Sequence, residues 1–267
     1  MHGRQVGRAV KIVILVKAVP DTFGERKLSL DTGLADRAAI ETVLDEIGAR
    51  ALEVGLSYAD AHPDTEVVIL MMAPEPASAT LRKALSMGAT AAVQIVDEAL
   101  LGADLGLTAE ALAAALTHIG FDLVIAGNQS TDGVGGVIPA MIAELLDVPN
   151  FTCLNSIELG AGSVAGERAT DGGSLSITAP LPAIVSVTER FPEPRFPNFK
   201  NIMAAKKKSI ETLSLSDLAV DANDLQKARS IVLGLSEKPA RQAGEKVIDE
   251  GDGGRRIAEF LVLNRLA

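Results

Sequence analysis

The stretch of this sequence best suited to chemistry is GNQSTDGVGG, at residues 127–136. It follows the apolar run DLVIA, which is typical of a buried strand, and it precedes an apolar segment with the composition of a helix. Glycines let backbone N–H groups approach an anion closely, and the N-terminus of the next helix adds about half a positive charge. The stretch therefore predicts an anion-binding loop beyond the end of a strand. A tight strand-to-helix turn that binds nothing fits the same residues.

The loop matches neither of the two common phosphate-binding signatures. It lacks the GK[ST] ending of a Walker A loop and the GxGxxG spacing of a dinucleotide-binding turn. Ser130 and Thr131 add hydroxyl donors, whereas a carboxylate at Asp132 would repel a phosphate unless it points away from it. We therefore interpret Asp132 as a residue that caps the turn, orients a ribose or stabilises the loop.

Other catalytic or metal-binding patterns are missing from the sequence. The three histidines are scattered, Cys153 is the single cysteine, and no nucleophile–base pair or metal-ligand spacing can be assembled. We therefore predict neither catalytic residues nor a metal site, and a hydrolase is the least favoured function. The net charge of −10 argues against binding of a nucleic-acid backbone, and the lone cysteine fits a reducing compartment, here the cytoplasm. No apolar run approaches the ~20 residues needed to span a bilayer.

The elements that must position the loop alternate between strand and helix. Continuous apolar runs predict strands buried on both faces, as in a parallel sheet. These runs lie at residues 11–16, 67–72, 91–96 and 122–126. Helical spacing from Ile40 to Val54, and apolar helical patterns between the later runs, predict helices that flank this sheet.

The pattern changes after Pro149, where shorter strand-like segments are separated by Gly and Pro. They lie at residues 151–159, 164–170, 174–178 and 183–187. We predict an α/β fold with a mostly parallel sheet, flanking helices, an antiparallel extension and an extended C-terminal arm. The expected division is a nucleotide-binding domain at residues 1–205 and an arm at residues 206–267.

Six segments together make the chain resemble the β subunits of electron transfer flavoproteins. They are VKAVPD at 16–21, APEPASATLRKALSMGA at 73–89, LVIAGNQSTDGVGG at 123–136, RATDGG at 168–173, LPAIVSVTE at 181–189 and EPRFPNFKNIMAAKKK at 193–208. The resemblance implies a fold like that of the adenine nucleotide α-hydrolases and a heterodimer with an α subunit. It implies an electron carrier rather than an enzyme. Electrons would pass from acyl-CoA and related dehydrogenases of fatty-acid β-oxidation to a membrane quinone oxidoreductase, through FAD held mainly by the α subunit.

The resemblance also implies roles for individual residues. AMP would be bound in this chain by residues on the first two strands and on the Gly-rich loop: Leu15, Met72, Gly127, Asn128, Gln129, Ser130, Thr131, Asp132, Gly133, Val134, Gly135, Gly136 and Val137. Phe23 and Arg168 would lie near the flavin. A docking segment for the dehydrogenases would include Glu193, Pro194, Arg195 and Phe199. Phe199 would be the apolar anchor, while Phe196 is expected to pack in the core.

Departures from the family pattern leave two alternatives open. Branches that carry a second FAD in place of AMP and bifurcate electrons usually read DGDT in the loop, whereas residues 132–135 here read DGVG. This difference favours AMP and simple electron transfer, with an FAD-binding bifurcating subunit as the first alternative. The second alternative is a nucleotide-binding module similar to universal stress proteins, which would form a homodimer without flavin. Many family members have Glu after Arg168, where this chain has Ala169, so a carboxylate role at that position is absent.

Overall fold

The structure, a computed structural model, describes residues 9–24, 26–37, 39–160, 162–224, 226–244 and 246–266. The chain divides into two compact units, the first ending at Leu233 and the second beginning at Gly234. All elements but the last belong to the first unit.

The strands and helices are numbered in chain order. The strands are β1 Lys11–Leu15, β2 Ala18–Pro20, β3 Thr42–Leu44, β4 Glu66–Met72, β5 Ala91–Ile95, β6 Leu123–Gly127, β7 Asn150–Leu154, β8 Ser156–Leu159, β9 Ser163–Thr170, β10 Gly173–Pro180, β11 Ala183–Val187 and β12 Ile210–Leu213. The α-helices are α1 Glu46–Ala61, α2 Ser78–Leu85, α3 Leu105–Ile119, α4 Ile138–Leu146, α5 Phe199–Lys207 and α6 Gly253–Leu263.

The centre of the first unit is a seven-stranded sheet with the order β12-β5-β4-β1-β6-β11-β7. Every neighbouring pair in it is parallel, which confirms the predicted mostly parallel sheet. Strand β1 lies in the middle, and its residues Ile12, Val13 and Ile14 are fully buried. Continuous apolar runs are expected for such strands, because helices cover both faces of the sheet.

Two apolar clusters cover the two faces of the sheet. Leu52 of α1, Leu81 of α2 and Ala205 of α5 pack in one cluster. Leu116 of α3 and Ile142 of α4 pack in the other. The helices therefore flank the sheet on both sides, as the alternating pattern predicts.

The three strands of the predicted antiparallel extension form a sheet of their own, with the order β10-β9-β8. The prediction that residues 183–187 belong with them is wrong, because β11 pairs in parallel with β6 and β7 inside the main sheet. Residues 151–159 likewise divide into β7 of the main sheet and β8 of the small sheet. Apolar composition alone does not distinguish strands of the main sheet from strands of the small sheet, since the direction of a strand depends on partners far away in sequence.

The start of α1 also differs from the pattern. Helical spacing begins at Ile40, but residues 42–44 form β3, which pairs antiparallel with β2. The helix begins at Glu46, because Asp45 has a non-helical backbone and its side chain accepts a hydrogen bond from the backbone N–H of Gly48.

The C-terminal part of the chain is divided between the two units. The first unit continues past residue 205, because β12 pairs with β5 at the edge of the main sheet. The second unit contains α6, on which Ile257, Phe260 and Leu263 are exposed. None of the helices in the described ranges has the length and hydropathy required to cross a membrane.

Candidate functional site

The Gly-rich loop leaves the main sheet at the carboxyl end of β6. Gly127 pairs with Val187 of β11, and the backbone N–H of Asn128 donates to the Val187 carbonyl at 2.8 Å. Leu15 at the end of β1 pairs with Ala126 of β6. Met72 ends β4, the neighbour of β1 on the other side. The structure therefore brings the residues predicted from two separate strands to the same side of the sheet as the loop, at the carboxyl ends of the strands. Open α/β sheets bind ligands there.

Gly127 allows the N-terminal turn of α1 to lie against the end of β6. A Cβ atom at this position would come within 3.0 Å of the Ile47 Cγ2 atom and 3.1 Å of the Gly48 backbone nitrogen. Such distances are tighter than ordinary contact, so any larger residue would push the helix away from the strand. The start of α1 therefore lies directly against the first residue of the Gly-rich loop.

Asp45 links the start of α1 to the Gly-rich loop. Its carboxylate accepts from the N–H of Gly48 at 3.2 Å and from the N–H of Thr131 at 2.8 Å, and the residue is 2% exposed. One buried side chain therefore caps a helix and holds the loop at its midpoint. Sequence reasoning missed this role, although an Asp directly before a helical pattern is a common N-cap signal.

Asp132 points inward, between two cations. Its carboxylate oxygens lie 2.7 Å from the Lys17 Nζ atom and 2.6 Å from the Arg37 Nη2 atom, and its side chain is only 9% exposed. Lys17 also donates to the Ser130 hydroxyl at 3.2 Å. Burial by itself would raise the pKa of Asp132, but hydrogen bonds from Lys17, Ser130 and Arg37 outweigh it and hold the pKa well below its ordinary value. The carboxylate thus stabilises the loop and is neutralised there, so it does not oppose an anion on the loop.

Two arginines between β2 and β3 also contact the loop. Arg26 donates to the Thr131 carbonyl at 2.6 Å. Besides its pair with Asp132, Arg37 donates to the Ala18 carbonyl at 3.0 Å. The sequence did not reveal these contacts, because about one hundred residues separate the arginines from the loop. They add positive charge to the side of the loop that faces β2.

The rest of the loop is open and offers unsatisfied polar groups. Residues 133–137 are exposed, and Val134 and Gly136 have left-handed backbones with φ of 51° and 67°. Among the described residues, the Oδ1 atom of Asn128 and the Oγ1 atom of Thr131 are buried without a hydrogen-bond partner. No side chain of the described chain caps the N-terminus of α4, which follows at once. The N–H groups of Gly133 and Val134 already donate to Asp132 and Ser130. Residues 135–137 and the uncapped start of α4 therefore fit an anionic group that accepts from N–H donors.

The two residues predicted near a flavin lie away from this loop in the sequence. Phe23 is almost fully exposed on the segment after β2. Arg168 is half-buried on β9 of the small sheet, opposite Leu175 of β10. Their proximity to a flavin stays a prediction.

The predicted docking segment is held against α1. Arg195 pairs with Glu53 at 2.8 Å and with Asp60 at 2.9 Å, so its guanidinium is turned towards the helix. Phe199 begins α5 and is 79% exposed. The expectation that Phe196 packs in the core is wrong, because this ring is 94% exposed. Two neighbouring aromatic rings therefore face away from the rest of this chain.

The remaining residues of the segment differ in their exposure. Glu193 is exposed, and its Oε1 atom lies 3.5 Å from the Arg50 Nη2 atom. Pro194 is half-buried. Of the basic run at the end of α5, Lys208 turns inward and donates to the Ala89 carbonyl, while residues 206 and 207 are exposed. In the part of the chain that the structure describes, no group of three or more His, Cys, Asp or Glu side chains could hold a metal ion.

Replacing Asp132 with Asn should destabilise the protein in a pH-dependent way. Two cations lose their shared partner, so we expect the free energy of unfolding near pH 7 to fall by about 1–3 kcal/mol. The pKa of Asp132 is lowered by folding, so its contribution is present above the unfolded pKa of about 3.9 and is lost as the pH falls through the lower folded value. The difference between wild type and variant should therefore shrink below about pH 4.

Urea unfolding at several pH values measures this difference. Asp171→Asn, in the exposed turn between β9 and β10, is the matched control and should behave as wild type. A difference that is the same at neutral and acidic pH would show that Asp132 does not act through its charge.

Comparison with known proteins identifies the family of this chain. Residues 32–218 match the family described as electron transfer flavoprotein domain. The chain is 48% identical to an electron transfer flavoprotein subunit beta of Mycobacterium leprae, and the match covers 96% of this chain and 98% of the relative. A Mycobacterium tuberculosis protein of the same name is 47% identical with the same coverage. The caffeyl-CoA reductase-Etf complex subunit CarD of Acetobacterium woodii is 31% identical over 89% of this chain and 92% of its own. The chain therefore belongs to the family of electron transfer flavoprotein β subunits.

Proposed function

We propose that this chain binds AMP on its Gly-rich loop and forms, with an α subunit, the heterodimer that carries electrons on FAD. Electrons arrive from acyl-CoA and related dehydrogenases and leave to a membrane quinone oxidoreductase. The chain itself is an electron-carrier subunit and performs no reaction on a substrate. We expect it to act in the cytoplasm.

The observation that carries the AMP proposal is the inward-facing Asp132. Lys17 and Arg37 neutralise this carboxylate, so it does not oppose an anion at the exposed residues 135–137 and the start of α4. A phosphate dianion can accept from several such donors at once. The buried, unpaired Asn128 and Thr131 oxygens beside it give a ribose hydroxyl two further positions to contact.

The apolar ends of β1 and β4 suit the base of a nucleotide. Leu15 and Met72 are half-buried at the carboxyl ends of their strands, beside the loop. Gln129 and Ser130 supply polar groups between these strand ends and the glycines that follow in the loop. We assign the phosphate to the N–H groups of residues 135–137, because those of Gly133 and Val134 already donate to Asp132 and Ser130. The adenosine would lie on the side of Leu15 and Met72.

FAD, held mainly by the α subunit, supplies the redox chemistry when bound. This chain contributes a wall of the subunit interface, for which we propose Phe23 and Arg168. Phe23 is an exposed aromatic ring in a chain with 3% aromatic residues, and an exposed ring of this size is suited to a contact with another chain.

The C-terminal arm is proposed to pack on the α subunit. Helix α6 exposes apolar side chains at positions 257, 260 and 263, which are three residues apart and lie along one side of the helix, and also at position 262. An amphipathic helix of eleven residues is marginal in water without a partner that covers its apolar side. The α subunit is the partner that the family provides.

Phe199 is proposed as the anchor for the dehydrogenases. It is exposed at the start of α5, and Ile202 and Met203 continue the same exposed apolar surface one turn later. A single aromatic anchor can contribute most of the affinity of a small transient interface. Lys206 and Lys207 at the end of the helix can attract acidic partners and raise the association rate.

One relative favours a second candidate, an FAD-binding subunit that bifurcates electrons. CarD is named as a subunit of a reductase-Etf complex, and this chain is 31% identical to it. The loop argues for AMP instead, because Val134 stands where the FAD-binding branch usually has a second acidic residue. The homodimeric nucleotide-binding module is no longer a candidate, since the family assignment covers most of the chain.

Nucleotide analysis of the purified heterodimer separates the two candidates. We expect about one FAD and one AMP per heterodimer after denaturation, because the loop carries one neutralised carboxylate and no second acid. Quantitative chromatography of the released nucleotides measures both. Two FAD and no AMP would establish the second candidate.

A bulky residue at Gly135 should remove AMP without unfolding the chain. A Cβ atom there would have the Leu105 Cδ2 atom at 3.8 Å as its neighbour, an ordinary contact, so the protein can accept a side chain while the proposed phosphate site cannot. We expect Gly135→Leu to lose most of the bound AMP and Gly135→Ala to keep more of it. AMP content and thermal melting of both variants measure this.

Gly172→Leu, in an open turn of the small sheet, is the control for the change in size. Full AMP content in Gly135→Leu would show that the open glycines do not bind the phosphate.

Removing the ring at Phe199 should slow electron transfer from a dehydrogenase while the flavin stays bound. Phe199→Ala deletes an exposed anchor, and we expect kcat/KM for reduction of the heterodimer to fall by about 10-fold or more. Stopped-flow or steady-state reduction by an acyl-CoA dehydrogenase measures it. Leu101→Ala removes a comparable exposed apolar group elsewhere and should react like wild type. Equal rates in Phe199→Ala and wild type would exclude the anchor role.

A further inference from the structure

One side of helix α1 holds the chain immediately before the two exposed phenylalanines. Arg50, Glu53 and Asp60 contact residues 191–195, and their spacing of three and seven places them on the same side of the helix. The segment 191–195 is therefore fastened along a stretch of α1, although it has no regular secondary structure of its own.

The central contact is a two-point pair between Arg195 and Glu53. The Nε and Nη2 atoms of Arg195 each donate to the Glu53 carboxylate at 2.8 Å, and the backbone N–H of Arg195 donates to the same carboxylate at 2.9 Å. Ser57, one turn later, donates to Glu53 at 2.9 Å, and Asp60 lies 2.9 Å from the Arg195 Nη2 atom. Both the side chain and the backbone of Arg195 are thereby fixed by one carboxylate.

The environment of this pair favours the charged forms of both partners. The Glu53 side chain is 13% exposed; burial would raise its pKa, but the hydrogen bonds from Arg195 and Ser57 outweigh burial and lower it. Hydrogen bonding to Glu53 raises the pKa of Arg195 further above its ordinary value. A two-point arginine–carboxylate pair is more directional than a pair with lysine.

A second contact holds the segment just upstream. Arg50 is nearly buried and donates to the Phe191 carbonyl at 2.5 Å, while Glu46 accepts from it at 3.1 Å. Phe191 is itself buried in the core. The chain is therefore fixed at residues 191 and 195.

The exposed rings follow directly and are bounded by a second fixed element. Phe196 is the next residue, and Asn198 accepts from the N–H of Asn201 at 2.8 Å to begin α5 at Phe199. Arg82 of α2 donates to the Ala205 carbonyl near the end of α5 at 2.7 Å. Only residues 196–198 lie between the two fixed parts, so Phe196 lies on this short stretch and Phe199 lies directly after it, at the start of α5.

We propose that Glu53 is a positioning residue for the docking of electron donors. It holds Arg195 in place, so that Phe199 is already ordered when the partner binds. The proposal rests on the anchor role of Phe199 given above, and it changes the role of Arg195 from a contact with the partner to an internal support. Ordering a loop on binding reduces affinity, so a segment ordered in advance binds more tightly at the same contact area. Loss of the support should therefore weaken docking more than electron transfer within the docked complex.

The test is the steady-state reduction of the Glu53→Gln heterodimer by an acyl-CoA dehydrogenase. We expect the KM for the heterodimer to rise about 3- to 10-fold, with the limiting rate within about 2-fold of wild type. Glu66→Gln breaks the Lys11–Glu66 pair at the start of β4 and is the matched control, with no expected change in KM. An unchanged KM in Glu53→Gln would overturn the proposal.

The double variant Glu53→Gln, Phe199→Ala tests whether Glu53 acts through the anchor. If it does, Glu53→Gln raises KM by less than about 2-fold once Phe199 is absent, because the two effects are not additive. The same increase in both backgrounds would overturn the positioning role. An unchanged KM in Phe199→Ala alone would instead refute the anchor role on which the proposal rests.

Arg195→Lys provides a second test that does not remove the carboxylate. Lysine keeps the charge but cannot make the two-point pair, so we expect an intermediate rise in KM with unchanged flavin content. If Glu53→Gln lowers the melting temperature or the flavin content, Arg195→Lys decides the question. A wild-type KM in Arg195→Lys would then overturn the proposal.

Discussion

The candidate site depends on one interaction, the pairing of the Asp132 carboxylate with Lys17 and Arg37. A loop that binds a phosphate has to present N–H groups and no free negative charge. Here the loop carries a carboxylate, but it is turned inward, nearly buried and held between two cations. Burial of a charge is unfavourable unless it is paired, so the three side chains stabilise the loop conformation only when all of them are in place. The glycines that follow Asp132 are exposed.

Helix α1 connects the two regions of the first unit to which we assign function. At its start, Asp45 caps the helix and binds the backbone of the Gly-rich loop. Further along, Arg50 and Glu53 bind the segment that leads to the exposed phenylalanines. Asp45 and Glu53 are eight residues apart, so a rigid helix separates these contacts by about 12 Å along its axis. The Gly-rich loop and the segment before the exposed phenylalanines are therefore placed relative to each other by one helix packed on the sheet.

The distribution of apolar side chains separates what stabilises the first unit from what is available to partners. Ala, Val, Leu and Ile fill the two clusters that cover the parallel sheet, and few aromatic residues are needed there. By contrast, Phe23, Phe196 and Phe199 are exposed. In a chain with seven phenylalanines, such placement is consistent with surfaces that other subunits cover. It agrees with membership of a family of heterodimer subunits.

The sequence by itself determined four of the parallel strands, the position of the Gly-rich loop and the family. These features depend on local composition and on order along the chain, as with the apolar runs and the EPRFPNFKNIM segment. Tertiary structure alone decided that Asp132 faces Lys17 and Arg37, that β11 is parallel, that Phe196 is exposed and that Arg195 turns towards Glu53. The pairing of Asp132 with Lys17 spans 115 positions, and that of Arg195 with Glu53 spans 142. Which side chains meet over such separations depends on how the helices pack on the sheet, and local residue patterns carry no information about that packing.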